Sequence, residues 1–454
     1  MRSITLLSLF SFLLCYYCIY FTSQISLASA KCLNDQHSLL FQLKNNLTFH
    51  PENSTKLILW NKSTACCKWS GVTCDIEGHV IGLDLSWEYI SGGFDNSSSL
   101  FSLQHLQKLN LAYNNFNSLI PSGFSKLEKL NYLNLSYAGF KGQIPIEISQ
   151  LTRLVSLDLS FFYDSITPPL NLEKLVQNLI NIRQMYLDGI IIKSQGHEWI
   201  NALLQLRDLQ ELSMYSCSLS GPLDSSLSKL ENLSVIIPGE NNFSSPVRQT
   251  FANFKNLTTL NLQNCGLTGT FPQKIFQIRT LSVIDLSDNP NLRVYFPDYS
   301  LSEYLLSIIV SNTGFSGTLP QTIGNMTNLF LLDLSYSHLY GTLLNSLSNL
   351  TQLTSLDLDH NNLSGAIPSY LFTLPSLEII YLTSNQFSKL DEFINVSSSV
   401  LEHLDLSRNN LSGPFPTSIF QLGALSSLSL STNKLNGSLQ LYEQHVNQRE
   451  WCKC

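Results

Sequence analysis

The sequence predicts an α/β repeat solenoid, a right-handed horseshoe-shaped superhelix with a parallel β-sheet on its concave face. The pattern L-x-x-L-x-L-x-x-N-x-L returns along the chain, and eleven of the thirteen steps between successive copies are 24 residues. This spelling at this period is typical of leucine-rich repeats. The copies begin at Leu106, Leu130, Leu154, Ile182, Leu209, Leu233, Leu257, Leu281, Leu305, Leu329, Leu353, Leu377, Leu401 and Leu425. An irregular first copy at Val80 gives about fifteen repeats over residues 80–440.

A repeat is named after its first residue, which is position 0. In the Leu353 repeat, the leucines at positions 0, 3, 5 and 10 should point inward and stack on their counterparts, at roughly 1.5 to 3 kcal/mol for each buried side chain. The side chain of Asn361 at position 8 should satisfy backbone groups where the chain leaves the strand. Because strand residues alternate between two faces, Thr354, Ser355 and the residues at positions 4, 6 and 7 should look outward.

The outward positions form the predicted ligand-binding face. Aromatic residues recur there, and exposed aromatic residues at regular spacing are common anchors of binding surfaces. Tyrosine is also simply a good strand residue, so a structural role is the alternative. The candidate residues on the concave face are Tyr113, Tyr137, Phe161, Tyr186, Tyr215, Tyr336, Asp357, Asp359, His360, Tyr381 and Arg408.

Residues 1–30 have the features of a secretory signal peptide. An apolar run from Leu6 to about Phe21 follows Arg2, and Ala28-Ser29-Ala30 provides the small residues of a cleavage site. A signal anchor is the alternative, although the run is shorter than the roughly 20 apolar residues of a spanning helix. Without this segment the chain keeps 25 basic and 33 acidic residues. The acidic balance argues against nucleic acid as a partner.

Residues 31–79 lack the repeat and should form an N-terminal cap. Leu39, Leu40, Leu43 and Leu47 recur at helical spacing and predict a short amphipathic helix. A cap covers the apolar end and the strand edge that a solenoid would otherwise expose. Four cysteines lie in the cap, where a secreted chain favours disulfides over a zinc site: Cys32, Cys66, Cys67 and Cys74.

Fourteen N-x-S/T sequons predict an extracellular glycoprotein, although repeats rich in N-L-S and N-L-T also generate sequons by chance. We expect many of them, not all, to be occupied. The sequons are at Asn46, Asn53, Asn61, Asn96, Asn134, Asn232, Asn242, Asn256, Asn325, Asn349, Asn362, Asn395, Asn410 and Asn436.

Two stretches of sequence resemble a known group of proteins. The segment C-C-K-W-S-G-V-T-C before L-D-L-S, with L-S-G-x-I-P in the repeats, is similar to the plant extracellular leucine-rich-repeat group. That group includes receptor kinases, receptor-like proteins and polygalacturonase-inhibiting proteins. The stretch Leu175 to Leu223, with L-V-Q-N-L, Y-L-D-G and G-H-E-W, is similar to receptor-like proteins of the disease-resistance type. In such relatives a Cys often follows Glu-Trp, whereas Ile200 stands here.

The resemblance implies pairing of Cys32 with Cys66 and of Cys67 with Cys74. It also implies the ligand-recognising ectodomain of a plant cell-surface receptor-like protein in defence signalling, with a protein or peptide ligand, pathogen-derived ligands among them, and a co-receptor kinase. A secreted inhibitor of cell-wall hydrolases and a non-functional truncated fragment are the alternatives. Full-length relatives are single-pass plasma-membrane proteins, whereas this chain is expected in the secretory pathway and apoplast.

The tail at residues 441–454 departs from the family pattern. It lacks the repeat spelling, so the resemblance implies a member truncated before its C-terminal cap and transmembrane helix. The strand of the Leu425 repeat is therefore expected to have an exposed edge. Cys452 and Cys454 are too close in sequence to pair readily with each other.

We expect no enzyme activity, cofactor, catalytic residue or metal site, since no nucleotide-binding, zinc-protease, hydrolase or kinase signature occurs. Asp285, Asp333, Asp357 and Asp405 share one column, but on an open, wet surface nothing should perturb their pKa values. Cys217 and Cys265 stand at position 8 of two repeats that are separated by a third. Their α-carbons should lie about 10 Å apart, too far for a disulfide, so both should be buried thiols.

Two repeats are longer than the rest. The Leu154 and Ile182 repeats contain 28 and 27 residues, with the extra residues near Phe161 to Pro169 and Lys193 to Glu198. Extra residues must form surface loops, which are either recognition loops or tolerated drift.

Overall fold

A computed structural model describes residues 32–161, 168–192, 194–297, 302–394, 396 and 398–436, and the backbone of residues 450–451. The predicted signal peptide, Asn395, Cys452, Cys454 and most of the extra loop in the Leu154 repeat lie outside the described residues. None of the described helices is both long enough and apolar enough to cross a membrane.

The concave face is one curved sheet whose strands pair in chain order. Its sixteen described parallel strands are preceded by an antiparallel strand from the cap. The strands are Val72–Cys74, Val80–Asp84, Lys108–Asn110, Tyr132–Asn134, Ser156–Asp158, Gln184–Tyr186, Glu211–Ser213, Val235–Ile237, Thr259–Asn261, Val283–Asp285, Ser307–Ile309, Leu331–Asp333, Ser355–Asp357, Ile379–Tyr381, His403–Asp405, Ser427–Ser429 and Glu450–Trp451.

The pairing confirms the predicted register. Ser355 pairs with Ile379, 24 residues further on, and Ser156 pairs with Gln184 across the longer Leu154 repeat. Extra residues therefore leave the strands aligned, because they are accommodated between the strands. The predicted solenoid fold is confirmed.

Short helices return the chain along the convex side. Two of the longer connections contain α-helices, Leu172–Val176 and Glu198–Leu203, and the N-terminal cap contains a third, Asn34–Asn46. The 3-10 helices are Leu57–Leu59, Cys66–Lys68, Ser99–Ser102, Ser122–Lys126, Ile146–Gln150, Ser225–Lys229, Gln249–Asn253, Gln273–Gln277, Gln321–Asn325, Asn345–Asn349, Ser369–Thr373 and Thr417–Gln421. Ile200, which stands where relatives often have a Cys, is fully buried in the core.

Smaller sheets form after the turn that contains position 8. One has four strands, Ser316–Gly317, His338–Gly341, Asn362–Ile367 and Gln386–Leu390. Three others have two strands each: Thr48–Phe49 with Ile90–Gly92, Gly269–Thr270 with Leu292–Arg293, and Ser412–Pro414 with Lys434–Asn436. Gly365 lies in this region at φ +85°, a left-handed conformation that favours glycine.

The inward leucines and the asparagine ladder are confirmed. Leu353, Leu356, Leu358 and Leu363 are at most 1% exposed and belong to one continuous apolar core. The amide nitrogen of Asn361 donates to the carbonyl oxygens of Leu358 at 3.1 Å and Asp359 at 3.0 Å within its own repeat, and of Leu334 at 2.9 Å in the repeat before. Its amide oxygen accepts the backbone N–H of Leu339 at 3.0 Å. One side chain therefore satisfies the turns of two repeats.

The residue before this ladder has a left-handed backbone in every repeat. Position 7 has φ between 46° and 75° throughout, and its only glycine is Gly189. A left-handed conformation costs roughly 1 to 2 kcal/mol for other residue types. The turn compensates through hydrogen bonds such as Tyr336 N–H to Asp359 O at 2.9 Å. The geometry turns the position-7 side chains away from the core, and none of them is buried.

The cap has the predicted helix and disulfides. In the helix Asn34–Asn46, Leu40 and Leu43 are buried. Cys32 is bonded to Cys66, and Cys67 to Cys74. The pairing that the resemblance implied is therefore confirmed.

Glu88 joins the cap to the first repeat, a role that sequence reasoning missed. It occupies position 8, where seven of the fifteen repeats have Asn, and it is fully buried. Its carboxylate accepts from Ser54 Oγ at 2.5 Å, from Thr55 N and Oγ1, and from Lys56 N and Leu57 N at 2.9 Å each. Burial alone would raise the pKa of Glu88, but these hydrogen bonds outweigh it and hold the pKa below its usual value.

The prediction that the strand of the Leu425 repeat has an exposed edge is wrong. Ser427 and Leu428 pair with Glu450 and Trp451, so part of the tail adds a parallel strand to the sheet. The sequence of the tail gave no signal for this because two residues are too few to show a periodic pattern.

Replacing Glu88 with Gln should destabilise the cap. The Gln amide nitrogen would face donors and leave at least one of them unsatisfied, so the free energy of unfolding should fall by roughly 2 to 3 kcal/mol at pH 7, as measured by urea denaturation. The folded pKa of Glu88 is lowered, so its contribution is present above the unfolded pKa and is lost as the pH falls through the folded pKa. Glu52→Gln, on the exposed surface of the same cap, is the control. An equal loss of stability in the two variants would contradict the role of Glu88 in joining the cap to the first repeat.

Cys217 and Cys265 should be unreactive thiols in the folded protein. Both are free and fully buried. Burial raises both pKa values, that of Cys265 to about 12. Peptide mass mapping after iodoacetamide treatment should find both residues unmodified in native protein and modified in denaturant without reductant. A disulfide between them would show that the register is wrong.

Candidate ligand-binding surface

Equivalent positions of successive repeats form columns on the concave face, because the strands pair in register. At position 2, Leu331 pairs with Ser355, and Ser355 with Ile379. Along the central repeats this column alternates partly exposed apolar residues with hydroxyl residues: Val235, Thr259, Val283, Ser307, Leu331, Ser355 and Ile379. The outward face of the strands therefore carries an apolar stripe that hydroxyl residues interrupt. These apolar side chains are not part of the buried core.

Carboxylates form a second stripe at position 4, beside the apolar one. Asp333 pairs with Asp357, and Tyr381 stands between Asp357 and Asp405. Each carboxylate accepts a backbone N–H two residues further on; Asp285 Oδ1, for example, accepts from Ser287 N at 2.9 Å and Ser287 Oγ at 2.6 Å. Their first role is therefore to hold the turn after the strand.

The expectation that nothing perturbs these carboxylates is wrong for Asp285 and Asp333. Asp285 is 5% exposed, and burial raises its pKa to about 6. Burial also raises the pKa values of Asp333 and Asp158, and that of Asp188 at position 6 to about 6. Among the described residues no cationic side chain forms an ion pair with Asp285 or Asp333, so these two carboxylates lack a compensating positive charge.

Three of the predicted aromatic residues at position 7, Tyr113, Tyr137 and Phe161, form one stack. The rings of Tyr113 and Tyr137 lie 5.0 Å apart and nearly parallel, and those of Tyr137 and Phe161 lie 4.5 Å apart. Trp87 extends the stack at its other end, where its ring lies 4.1 Å from that of Tyr113, and it is 57% exposed. Sequence reasoning missed Trp87, although counting seven residues from Val80 reaches it. The stack ends at Gly189, which has no side chain. A Cβ added at Gly189 would lie 3.2 Å from the Phe161 ring.

The rest of the position-7 column is also linked from repeat to repeat. Asn264 Nδ2 donates to Glu240 Oε2 at 2.7 Å, and Asn312 Nδ2 donates to Asp288 Oδ1 at 2.9 Å. Further along, Tyr336 stacks on His360 at 4.1 Å. These side chains lie in the turn three residues beyond the strand, at the carboxyl edge of the sheet, rather than on the strands themselves. Arg408 is exposed two repeats after His360.

The remaining candidates have individual surroundings. The Tyr186 hydroxyl donates to Glu211. Tyr215 is half-buried, and burial together with the negative charge of Glu240 raises its pKa. Asp357 and Tyr381 are partly exposed neighbours at position 4.

The outward placement of Asp359 is wrong. It is 7% exposed, and its carboxylate accepts the backbone N–H of Thr383 at 2.5 Å. The side chain at position 6 is covered by the next repeat, so this residue holds adjacent turns together. It is not available to a ligand in this conformation.

The described sequons lie on the surface. All of them have exposed asparagines except Asn134, which is partly buried at position 4. The Asn134 amide oxygen accepts from Ser136 N at 2.9 Å and Ser136 Oγ at 2.7 Å, as an aspartate does in other repeats. Occupancy of these sites stays a prediction.

Comparison with known proteins identifies the repeats. Residues 33–75 match the leucine rich repeat N-terminal domain. Residues 104–161 and 373–435 match one leucine rich repeat model, and residues 208–230, 256–278 and 352–374 match a second. The chain is a leucine-rich-repeat protein.

Its homologues are plant receptor-like proteins. The chain is 33% identical over 237 residues to Receptor-like protein 6 of Arabidopsis thaliana, a match that covers 46% of this chain and 23% of that protein. It is 39% identical over 194 residues to Receptor-like protein Cf-9 of Solanum pimpinellifolium, covering 38% of this chain and 22% of that protein. The matches span less than a quarter of the length of these relatives.

Solved structures share the fold. The crystal structure of PEPR1-AtPEP1 is similar at 27% identity with a TM-score of 0.61, covering 88% of this chain and 62% of that one. The ectodomain of the Arabidopsis thaliana receptor kinase GASSHO1/SCHENGEN3 in complex with CASPARIAN STRIP INTEGRITY FACTOR 2 is similar at 26% identity with a TM-score of 0.55, covering 88% and 56%. The repeat protein therefore has the architecture of a plant receptor ectodomain.

Replacing Asp285 with Asn should stabilise the protein at neutral pH. Asn fills position 4 in other repeats and can accept the two hydrogen bonds from Ser287, so the change removes the buried charge and loses one long bond, from Asn261 Nδ2 to Asp285 Oδ2 at 3.3 Å. Because the folded pKa of Asp285 is raised to about 6, the wild-type protein gains stability as the pH falls from above 6 toward the unfolded pKa. The variant should be more stable at pH 7 by roughly 1 to 3 kcal/mol, and its advantage should shrink below pH 6.

Thermal and urea denaturation across this pH range measure the difference between Asp285→Asn and wild type. Asp405→Asn changes a partly exposed carboxylate at the same repeat position and is the matched control. A loss of stability in Asp285→Asn, or an equal gain in Asp405→Asn, would show that burial of Asp285 does not have the effect described.

Proposed function

We propose that this chain is the ligand-recognising ectodomain region of a plant cell-surface receptor-like protein, acting outside the cell in defence signalling. Its ligand is a protein or peptide. The observation that carries the proposal is the pair of stripes on the central repeats, where partly exposed apolar residues at position 2 lie beside acidic residues at position 4. The core does not require the apolar stripe, and the partly exposed carboxylates beside it, Asp333, Asp357 and Asp405, can contact a ligand while they hold their turns.

The chemistry of the stripes favours one class of ligand. Asp333 is a partly exposed carboxylate whose pKa is raised by burial, and a cationic group placed beside it would supply the missing positive charge. Val283 and Leu331 alternate with hydroxyl residues and provide small apolar contacts beside the carboxylates at position 4. An extended peptide segment that carries both basic and apolar side chains fits this arrangement.

Aromatic residues at the carboxyl edge of the sheet supply anchors for the same ligand. Tyr336 is 52% exposed and stacked on His360, so its ring is held in place before a ligand arrives. Rigid aromatic side chains lose little conformational entropy on binding and often dominate interface energies. Tyr381 lies between Asp357 and Asp405 on the strands nearby.

The relatives support the proposal. The cap and the repeats match leucine rich repeat family models, homologues are named as receptor-like proteins, and a structural neighbour at 26% identity is an ectodomain in complex with CASPARIAN STRIP INTEGRITY FACTOR 2. By the family resemblance, signalling would also need a co-receptor kinase.

An array of synthetic peptides with acidic, neutral and basic net charge, each in apolar-rich and apolar-poor versions, tests this function. The purified ectodomain should be retained by basic, apolar-rich peptides. Asp333→Asn should weaken retention by about tenfold, since one close charge pair contributes on the order of 1.5 kcal/mol or more. Retention should also fall as the pH is lowered, because burial raises the pKa of Asp333 and protonation removes its charge.

Tyr336→Ala tests the aromatic anchor in the same assay, and Glu231→Gln is the matched charge control. Glu231 is exposed and lies two residues before its repeat begins, away from both stripes. Binding that does not depend on peptide charge, or that Glu231→Gln weakens as much as Asp333→Asn does, would contradict recognition by the concave face. Inhibition of a cell-wall hydrolase without peptide binding would favour the inhibitor alternative.

A further inference from the structure

Three metal-binding side chains meet where the cap joins the first two repeats. Asp75 and His79 flank the turn between the strands Val72–Cys74 and Val80–Asp84, and His105 directly precedes the Leu106 repeat. One ligand atom from each residue lies within 4.8 Å of the others. The two imidazole rings stack with centroids 3.8 Å apart and an angle of 2° between their planes. All three residues are partly buried.

The fold holds the turn residues in place. The carboxylate oxygen Oδ1 of Asp75 accepts the N–H groups of Glu77 at 3.0 Å and His79 at 2.9 Å, and the backbone N–H of Asp75 donates to His79 O at 3.0 Å. The Cys67–Cys74 disulfide fixes the chain just before Asp75. These bonds use one oxygen of the Asp75 carboxylate and leave the other, Oδ2, directed at the His79 ring.

The separation of the first two ligand atoms suits a small transition-metal ion. Asp75 Oδ2 lies 3.2 Å from His79 Nδ1. Two ligands bound tetrahedrally at about 2.0 to 2.1 Å from Zn²⁺ lie about 3.3 to 3.4 Å apart, so these atoms need almost no rearrangement. Glu77 Oε2 lies 3.5 Å from His79 Nδ1 and offers a second carboxylate. The His105 ring must tilt out of the stack to aim a lone pair at the same ion.

We propose that Asp75, His79 and His105 bind one divalent transition-metal ion of the Zn²⁺ class, with Glu77 or water in the fourth position. Two imidazoles and a carboxylate are ligands that Zn²⁺ accepts, whereas Ca²⁺ and Mg²⁺ prefer oxygen ligands only. The ion would cross-link the cap turn to the start of the Leu106 repeat. Bound ion would therefore stabilise the N-terminal end of the solenoid.

Lys129 gives the proposal a second, independent consequence. Its ammonium nitrogen lies 3.4 Å from Nδ1 of His105. A positive charge beside the site opposes a divalent cation and competes for the same imidazole. Removing this charge should strengthen metal binding, which no purely structural role of the two histidines would predict.

Isothermal titration calorimetry of the glycosylated ectodomain with ZnCl₂ tests the site, with the protein purified without a histidine tag. Wild-type protein should bind one Zn²⁺ and gain thermal stability, and equal concentrations of Ca²⁺ or Mg²⁺ should do neither. His105→Gln should weaken Zn²⁺ binding by roughly 100-fold or more, since even indirect support of a metal ligand contributes about 10- to 100-fold. Lys129→Gln should tighten binding.

His403→Gln is the matched control, because His403 is a partly exposed histidine on a distant strand. It should bind Zn²⁺ as wild type does. Absence of Zn²⁺ binding in wild type, or equal binding by His105→Gln and His403→Gln, would overturn the proposal. If His105→Gln fails to fold, Lys129→Gln decides, since unchanged or weaker Zn²⁺ binding in that variant would contradict the site.

Discussion

The fold depends on the hydrogen bonds that an asparagine at position 8, present in seven of the fifteen repeats, makes across two turns. Each repeat leaves its strand through a turn whose carbonyl groups point into the core, where water cannot reach them. Asn361 satisfies carbonyls of its own repeat and of the one before, and it accepts an N–H from that earlier repeat as well. A buried unsatisfied group costs about 1 to 3 kcal/mol, so without the ladder the turns would oppose the stacking of the leucines. The ladder and the apolar core are therefore jointly necessary.

The same register creates the recognition surface. Once the strands are aligned, any residue type that recurs at one position becomes a column of contacting side chains. At position 7 the left-handed backbone turns the side chain outward, and neighbouring residues pair as aromatic stacks or as acid–amide hydrogen bonds. The core places no demand on the side chain there, because its Cβ faces solvent. A rigid scaffold thus displays a variable row of side chains, as a binding surface requires.

The ends of the solenoid use different chemistry because they have no neighbouring repeat on one side. At the cap, Glu88 replaces the ladder asparagine and collects hydrogen bonds from the loop at residues 54–57. Two disulfides support this region, and the Asp75–His79 turn places an imidazole against His105 of the next repeat. At the other end a short segment of the tail pairs with the last regular strand. Each end is closed by contacts that the repeat does not contain.

The sequence by itself determined the parts of this protein that follow the period. The spacing of the leucines and of residues such as Asn361 predicted the strands, the inward side chains and the separation of Cys217 from Cys265, because a repeated fold gives each position one environment. Only the tertiary structure decided how deeply Asp285 and Asp359 are buried, since the cover comes from the adjacent repeats and depends on their side chains. It also decided the partners of Glu88 and the contact of His79 with His105, because both join non-repeating to repeating sequence and follow no period.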